Sequence, residues 1–227
     1  MLKKLLFIIL FLSFAVNANA ALTKAVESVD TWAEVTAGTV REGATTDLSP
    51  NYQTNLCIDV SLSEATAETI GATIVVQISS NTTGDADWIV LTTLGGPTGT
   101  GISKALGGTE AVGQTVLSVD NPATANLNHH GKLLFIENTT PANSELVYSV
   151  SDSGDAGDTI TVQDGLTTEQ TAAASTIWSI DGTASAIAQY VVNIPDTAYR
   201  VRVLYDNINS TGADIFTRAR ITKMTGI

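Results

Sequence analysis

The chain has 227 residues, with 11 basic and 23 acidic side chains and a formal net charge of −12 at neutral pH. A surface this acidic repels phosphate backbones and anionic lipid, so nucleic acid and membrane surfaces are poor partners for it. Only 15% of the residues are charged, and Thr, Ala, Ser, Gly and Val dominate; that is the palette of strands and turns, not of helices.

Residues 1–20, MLKKLLFIILFLSFAVNANA, read as a cleavable signal peptide. Lys3 and Lys4 form a positive n-region and Leu5 to Val16 an apolar core. Ala18, Asn19 and Ala20 supply the small-x-small pattern that places cleavage between Ala20 and Ala21. The apolar run is shorter than the roughly 20 residues of a membrane span. The expected location is therefore secreted and extracellular, at the cell surface, with no membrane contact after cleavage. Cleavage removes two lysines and no acid, which takes the formal charge from −12 to −14.

Residues 21–49 are expected to form an N-terminal arm. Their apolar positions, Val26, Val29, Trp32 and Val35, suit a short helix, a first strand or an extended segment. From there, alternation bounded by Gly, Asn, Asp and Pro predicts strands at 55–61, 72–79 and 87–93. It predicts others at 115–119, 132–137, 145–150, 159–163, 175–180, 187–194, 199–206 and 214–222. Many short strands at this spacing specify an all-β fold, an antiparallel β-sandwich of Ig-like or jelly-roll-like kind. Residues 50–94 and 187–227, with the longer strands, are assigned to the sandwich. Residues 95–186 are assigned to a linker, Gly-rich over 95–108, and an inserted small β-barrel-like module.

The candidate site residues are few. Cys57 alternates with Asp59 and opposes Leu56, Ile58 and Val60, so it reads either as a small apolar residue or as one half of an intermolecular disulfide. His129 and His130 precede Gly131; neighbours on a strand point to opposite faces and do not chelate one ion as a pair. Asp152, Asp155 and Asp158 crowd the turn SDSGDAGD, where three carboxylates form a candidate calcium site, although the spacing is not that of an EF-hand. The same turn also reads as a solvated hairpin loop. Arg200 and Arg202 alternate along one predicted strand and Arg218 and Arg220 along another. A hairpin through NINSTGAD would put all four on one face, either as a basic subunit contact or paired with acids of the same sheet. Trp88 and Trp178 are expected in cores, and Asn81, Asn138 and Asn209 are formal glycosylation acceptors. No nucleophile elbow, phosphate loop or dinucleotide fingerprint is present, so neither an enzyme nor a cofactor is expected.

Two stretches carry a resemblance. TIVVQISSNTTGDADWIVLTTL resembles sandwich strands of structural proteins from tailed phages. VGQTVLSVDNPATANLNHHGKLLFIENTTPANSELVYSVSDSGDAGDTITVQDGLTTEQTAAASTIWSI is similar to the small β-modules of phage tail and decoration proteins. With VRVLYDN and FTRARI these cover roughly residues 70–227. The resemblance implies a part of a repetitive assembly without enzymatic activity, and it assigns no functional residue. The signal peptide departs from it and favours an exported cellular form. The expected function is thus a structural subunit that forms an extracellular filament, tube or surface layer with copies of itself, joined by strand donation from the arm. The alternatives are a secreted adhesin or glycan-binding module and a phage virion decoration or tail protein.

Overall fold

The computed structural model describes residues 23–49, 53–63, 68, 70–84, 87–99, 101–119, 131–152, 159–180, 187–210 and 212–225. Residues 1–20, which read as a signal peptide, with Ala21 at the expected cleavage point, His129 and His130, and Asp155 and Asp158 lie outside them. Among the described residues there are strands and one short 3-10 turn at Pro141–Asn143, and no α-helix.

Three antiparallel sheets make up the all-β body. The front sheet runs in the order β1 (Thr23–Val35), β15 (Ile215–Thr225), β4 (Gln53–Leu62) and β13 (Ile187–Ile194). The back sheet runs β2 (Val40–Glu42), β14 (Arg200–Asp206), β5 (Thr73–Ser79) and β6 (Ile89–Gly95), and β3 (Thr46–Asp47) pairs with β14 beyond β2. These two form the sandwich. The chain leaves it after β6 and re-enters at β13. In between it builds a six-stranded sheet in the order β7 (Gly101–Ala105), β12 (Ser175–Ile180), β9 (Leu133–Asn138), β10 (Glu145–Asp152), β11 (Thr159–Val162) and β8 (Val116–Ser118). Its two outer strands meet at a bridge between Leu106 and Val119, so the sheet curls toward a barrel.

Period-two alternation explains the sandwich core. In β4, Leu56, Ile58 and Val60 are fully buried against Ile74 and Val76 of β5 and Val201 and Val203 of β14. Each such side chain contributes about 1.5–3 kcal/mol by leaving water. The module has a separate core around Leu117, Leu134, Ile136 and Ile160. A third cluster joins the two bodies. Phe216 and Ile187, which both lie opposite Ser61 on the outer face of the front sheet, meet Trp32 of β1 and Phe135 and Trp178 of the module.

Three expectations are corrected. Of the expected arm, residues 21–49, the described residues 23–49 are not free, because β1 pairs along β15 and β2 and β3 pair with β14. The spacing of three between Val26, Val29, Trp32 and Val35 comes from a strand with two register shifts, between Ser28 and Asp30 and between Asp30 and Ala33. Each shift turns the following residues to the other face. Val29 and Val35 therefore enter the sandwich core while Trp32 enters the junction. The stretch 95–108 is not simply a linker, since its residues 101–105 form β7, paired with β12. Finally, β14 and β15 are not a hairpin. The chain crosses from the back sheet to the front sheet over residues 207–214, pinned by Asn207, which is 1% exposed. Its Nδ2 donates to the carbonyls of Val35 and Ala213, each at 3.0 Å.

Candidate functional site

The crossing divides the four arginines into two pairs on different sheets. Arg218 and Arg220 belong to β15 on the outer face of the front sheet. Register places Arg218, Asp59 and Gln189 in one row across β15, β4 and β13, and Arg220, Cys57 and Val191 in the next. Asp59 is 2% exposed, and four donated hydrogen bonds reach its carboxylate. Arg218 donates from Nε at 3.0 Å and from Nη2 at 2.7 Å, Arg220 from Nη2 at 3.1 Å, and Gln189 from Nε2 at 2.8 Å. The Arg218 guanidinium also lies 4.7 Å from the ring centre of Trp32, so the cluster abuts the junction with the module.

Arg200 and Arg202 lie on β14 in the back sheet. Arg200 is buried and uses its guanidinium to hold the turn after β5, donating from Nε to the carbonyl of Asn81 at 2.7 Å and from Nη2 to that of Gly84. Arg202 donates to Gln77 at 2.8 Å and pairs with Glu42. Both guanidiniums lie over the ring of Trp88, at 4.9 and 4.3 Å. Trp88 is therefore stacked beneath cations just before β6, and not packed in a core, whereas Trp178 is 8% exposed in the junction.

A third acid, Asp30, ties the front sheet to the back sheet. It accepts the backbone N–H of Ala44 at 3.0 Å and the Tyr205 hydroxyl at 3.3 Å, and it lies 3.7 Å from Arg41. Arg41 in turn donates to Thr217 at 2.7 Å. A Cβ at Gly43 would run into the Asp30 carboxylate, which explains the glycine. Burial, and then the charge of Asp30, pushes the Tyr205 hydroxyl far above its usual range, so it stays a donor.

The module holds a comparable network. Gln170, with no exposure, accepts from Asn138 at 2.9 Å and from Ser175 at 2.8 Å, and donates to Glu145 at 3.0 Å. The second oxygen of Glu145 takes the backbone N–H and hydroxyl of Thr167 at 2.9 and 2.8 Å. Asn138 is thus enclosed and cannot serve as a glycosylation acceptor, while Asn209 is exposed. Buried carboxylates satisfied this fully hold strands together.

Glu34 and Asp214 differ, because they set one carboxyl against another. Partial burial, and then the hydrogen bond and charge of Asp214, hold the Glu34 carboxyl above its usual value. A raised native value stabilises the fold below the unfolded value and loses that contribution as pH rises through the native one. Glu34 is mostly exposed, so solvent screens the repulsion between the two carboxylates and holds its cost to no more than about 1 kcal/mol. Glu34→Gln should therefore raise the melting temperature by about 1–3 °C at pH 7 and leave it unchanged near pH 4, as read by thermal scans at both values.

Asp152 ends β10, and its two proposed partners in calcium binding lie outside the described residues. Among the described residues no cluster of three metal-ligating side chains occurs. Cys57 is free and half-buried on the outer face of the front sheet, opposite the apolar core positions of β4.

No protein-family model and no curated protein matches the chain. Among solved structures it is similar to that of infectious bursal disease virus, Gx strain, at 9% identity and a TM-score of 0.22, covering 91% of this chain and 42% of the other. It is also similar to the infectious bursal disease virus VP2 subviral particle, at 6% identity and a TM-score of 0.22, with the same coverage. The chain thus spans less than half the length of either match.

Proposed function

We propose that the protein is an exported structural subunit that assembles with copies of itself into a filament, tube or surface layer outside the cell. The observation that carries this reading is the use of its buried chemistry. Asp30 and Asp59 each tie strands together and Glu145 ties β10 to the connection between β11 and β12, all through donated hydrogen bonds, and an acid so engaged is a brace and not a reactive group. The third sheet, packed on the outer face of the sandwich through five large apolar side chains, adds stiffness of the kind a subunit needs. The signal-peptide pattern of residues 1–20 supports release to the outside.

Joining by a donated N-terminal arm is not part of the proposal, because β1 already buries Val29, Trp32 and Val35 in its own chain. The protein purified as the cell releases it, imaged by negative-stain microscopy and followed by sedimentation across a hundredfold range of concentration, should show ordered polymers. N-terminal mass spectrometry should find Ala21 first. A sharp monomer at every concentration overturns the assembly reading, and a chain that still starts at Met1 overturns export.

A further inference from the structure

The two flanks of the sandwich are built differently. On one flank the front sheet ends in β1 and the back sheet in β2 and β3. These strands carry Lys24, Glu27, Glu34, Glu42 and Asp47, and the Asp30–Arg41 pair ties them across the gap. Charges on outer strands are how folded proteins discourage edge-to-edge pairing. On the other flank the sheets end in β6 (IVLTTLG) and β13 (IAQYVVNI), which contain no charged side chain. The Tyr190 hydroxyl donates to the Gly95 carbonyl and sets these two strands side by side.

This second flank is open among the described residues. β6 has β5 on one side and β13 has β4 on one side, with no strand beyond either. Ile89, Val90 and Val191 are 60%, 53% and 73% exposed, and Leu91, Leu94 and Tyr190, packed against the core, remain half-buried. β6 is also uncharged, rich in β-branched residues and free of proline, the features of a segment that takes up another strand.

Resting on the assembly reading above, we infer that the β6–β13 flank is the surface on which a second copy of this chain docks, two-fold symmetrically. Charge selects that occupant. Two copies of a chain at −12 repel wherever their acids face each other, and the two edge strands of this flank carry none. Two-fold symmetry sets β6 antiparallel to the partner's β6 and β13 antiparallel to its counterpart, so both sheets run on without a break. The unpaired main-chain groups of both edges are then satisfied and the exposed valines leave water.

The test is a Val90→Lys/Val191→Lys double variant of the purified protein, followed by sedimentation. Both side chains are solvent-exposed, so circular dichroism and the melting temperature should match the parent. The concentration at which assembly begins should rise tenfold or more. Val26→Lys, 62% exposed on the charged flank, should assemble as the parent does. A double variant that assembles at the parent's concentration overturns the inference and leaves the assembly reading standing, as does an equal effect of Val26→Lys. Hydrogen exchange on the unaltered protein gives a second readout: amides of β6 and β13 should slow on assembly, and unchanged rates overturn the inference. A parent protein that stays monomeric overturns the assembly reading itself.

Discussion

Replacing Asp59 with alanine should lower the stability by about 3–5 kcal/mol, the cost of removing one partner from a buried ion pair. The side chain is 2% exposed and engages Arg218, Arg220 and Gln189. Without it, two guanidiniums from neighbouring positions of β15 stand side by side on the outer face with no counter-charge between them. Arg218 cannot retreat to solvent without leaving Trp32, so part of the loss is carried into the junction. At about 2–4 °C per kcal/mol for a chain of this size, the melting temperature should fall by about 10 °C. Asp59→Asn keeps the shape and one acceptor and should fall between the parent and Asp59→Ala. Glu42→Ala provides the contrast: its carboxylate also meets an arginine, but it is 55% exposed, and its loss should cost no more than about 1 kcal/mol. Thermal and denaturant unfolding of the three variants side by side decides the matter. Equal losses for Asp59→Ala and Glu42→Ala would mean that burial does not set the strength of these pairs.

The fold was legible wherever alternation ran unbroken. In β4 the sequence LCIDV alternates core and outer positions, and the structure places Leu56, Ile58 and Val60 inside with Cys57 and Asp59 opposite. It was hidden wherever the backbone departs from period two. The two register shifts in β1 convert a strand into a spacing of three, the same spacing that an amphipathic helix shows. β7 was hidden for another reason: its flanking glycines read as a linker, while its pairing with β12 depends on residues more than seventy positions away. The crossing between β14 and β15 had a signal that was available. Residues 207–214 make a connection longer than the two to five residues of an ordinary hairpin loop.

The same error of topology explains what was missed at the candidate site. Sequence marked the arginines but not their acids. Asp59 stands 159 and 161 positions from Arg218 and Arg220, and only the pairing of β4 with β15 brings them together. An acid at an outward position of a strand otherwise filled with apolar residues was the available clue. Asp30 offered no such clue, because it lies between the two shifts of β1 and its burial depends on Gly43 leaving room for it.

The junction between sandwich and module carries the last large effect. Phe135 is fully buried on β9 of the module, with its ring centre 4.9 Å from that of Trp32 and 5.3 Å from that of Phe216. Phe135→Ala removes a module side chain whose ring meets both Trp32 and Phe216 and should cost about 3–5 kcal/mol. The loss differs in kind from that of Asp59, because each body retains its own core. Calorimetry should therefore show one transition for the parent and two for the variant, one for each body. Hydrogen exchange should rise in β1 around Trp32 and in β9, and stay unchanged in β5 and β14. A variant that still melts in one step near the parent's temperature would mean that the bodies are coupled elsewhere. The same contact governs how the N-terminal segment can be altered. Removal of residues 21–40 takes Trp32 from the junction and Val29 and Val35 from the sandwich core, so any failure of that deletion to assemble would report unfolding. Single substitutions at exposed positions, such as Val26 and Val90, separate assembly from folding because they leave all three cores intact.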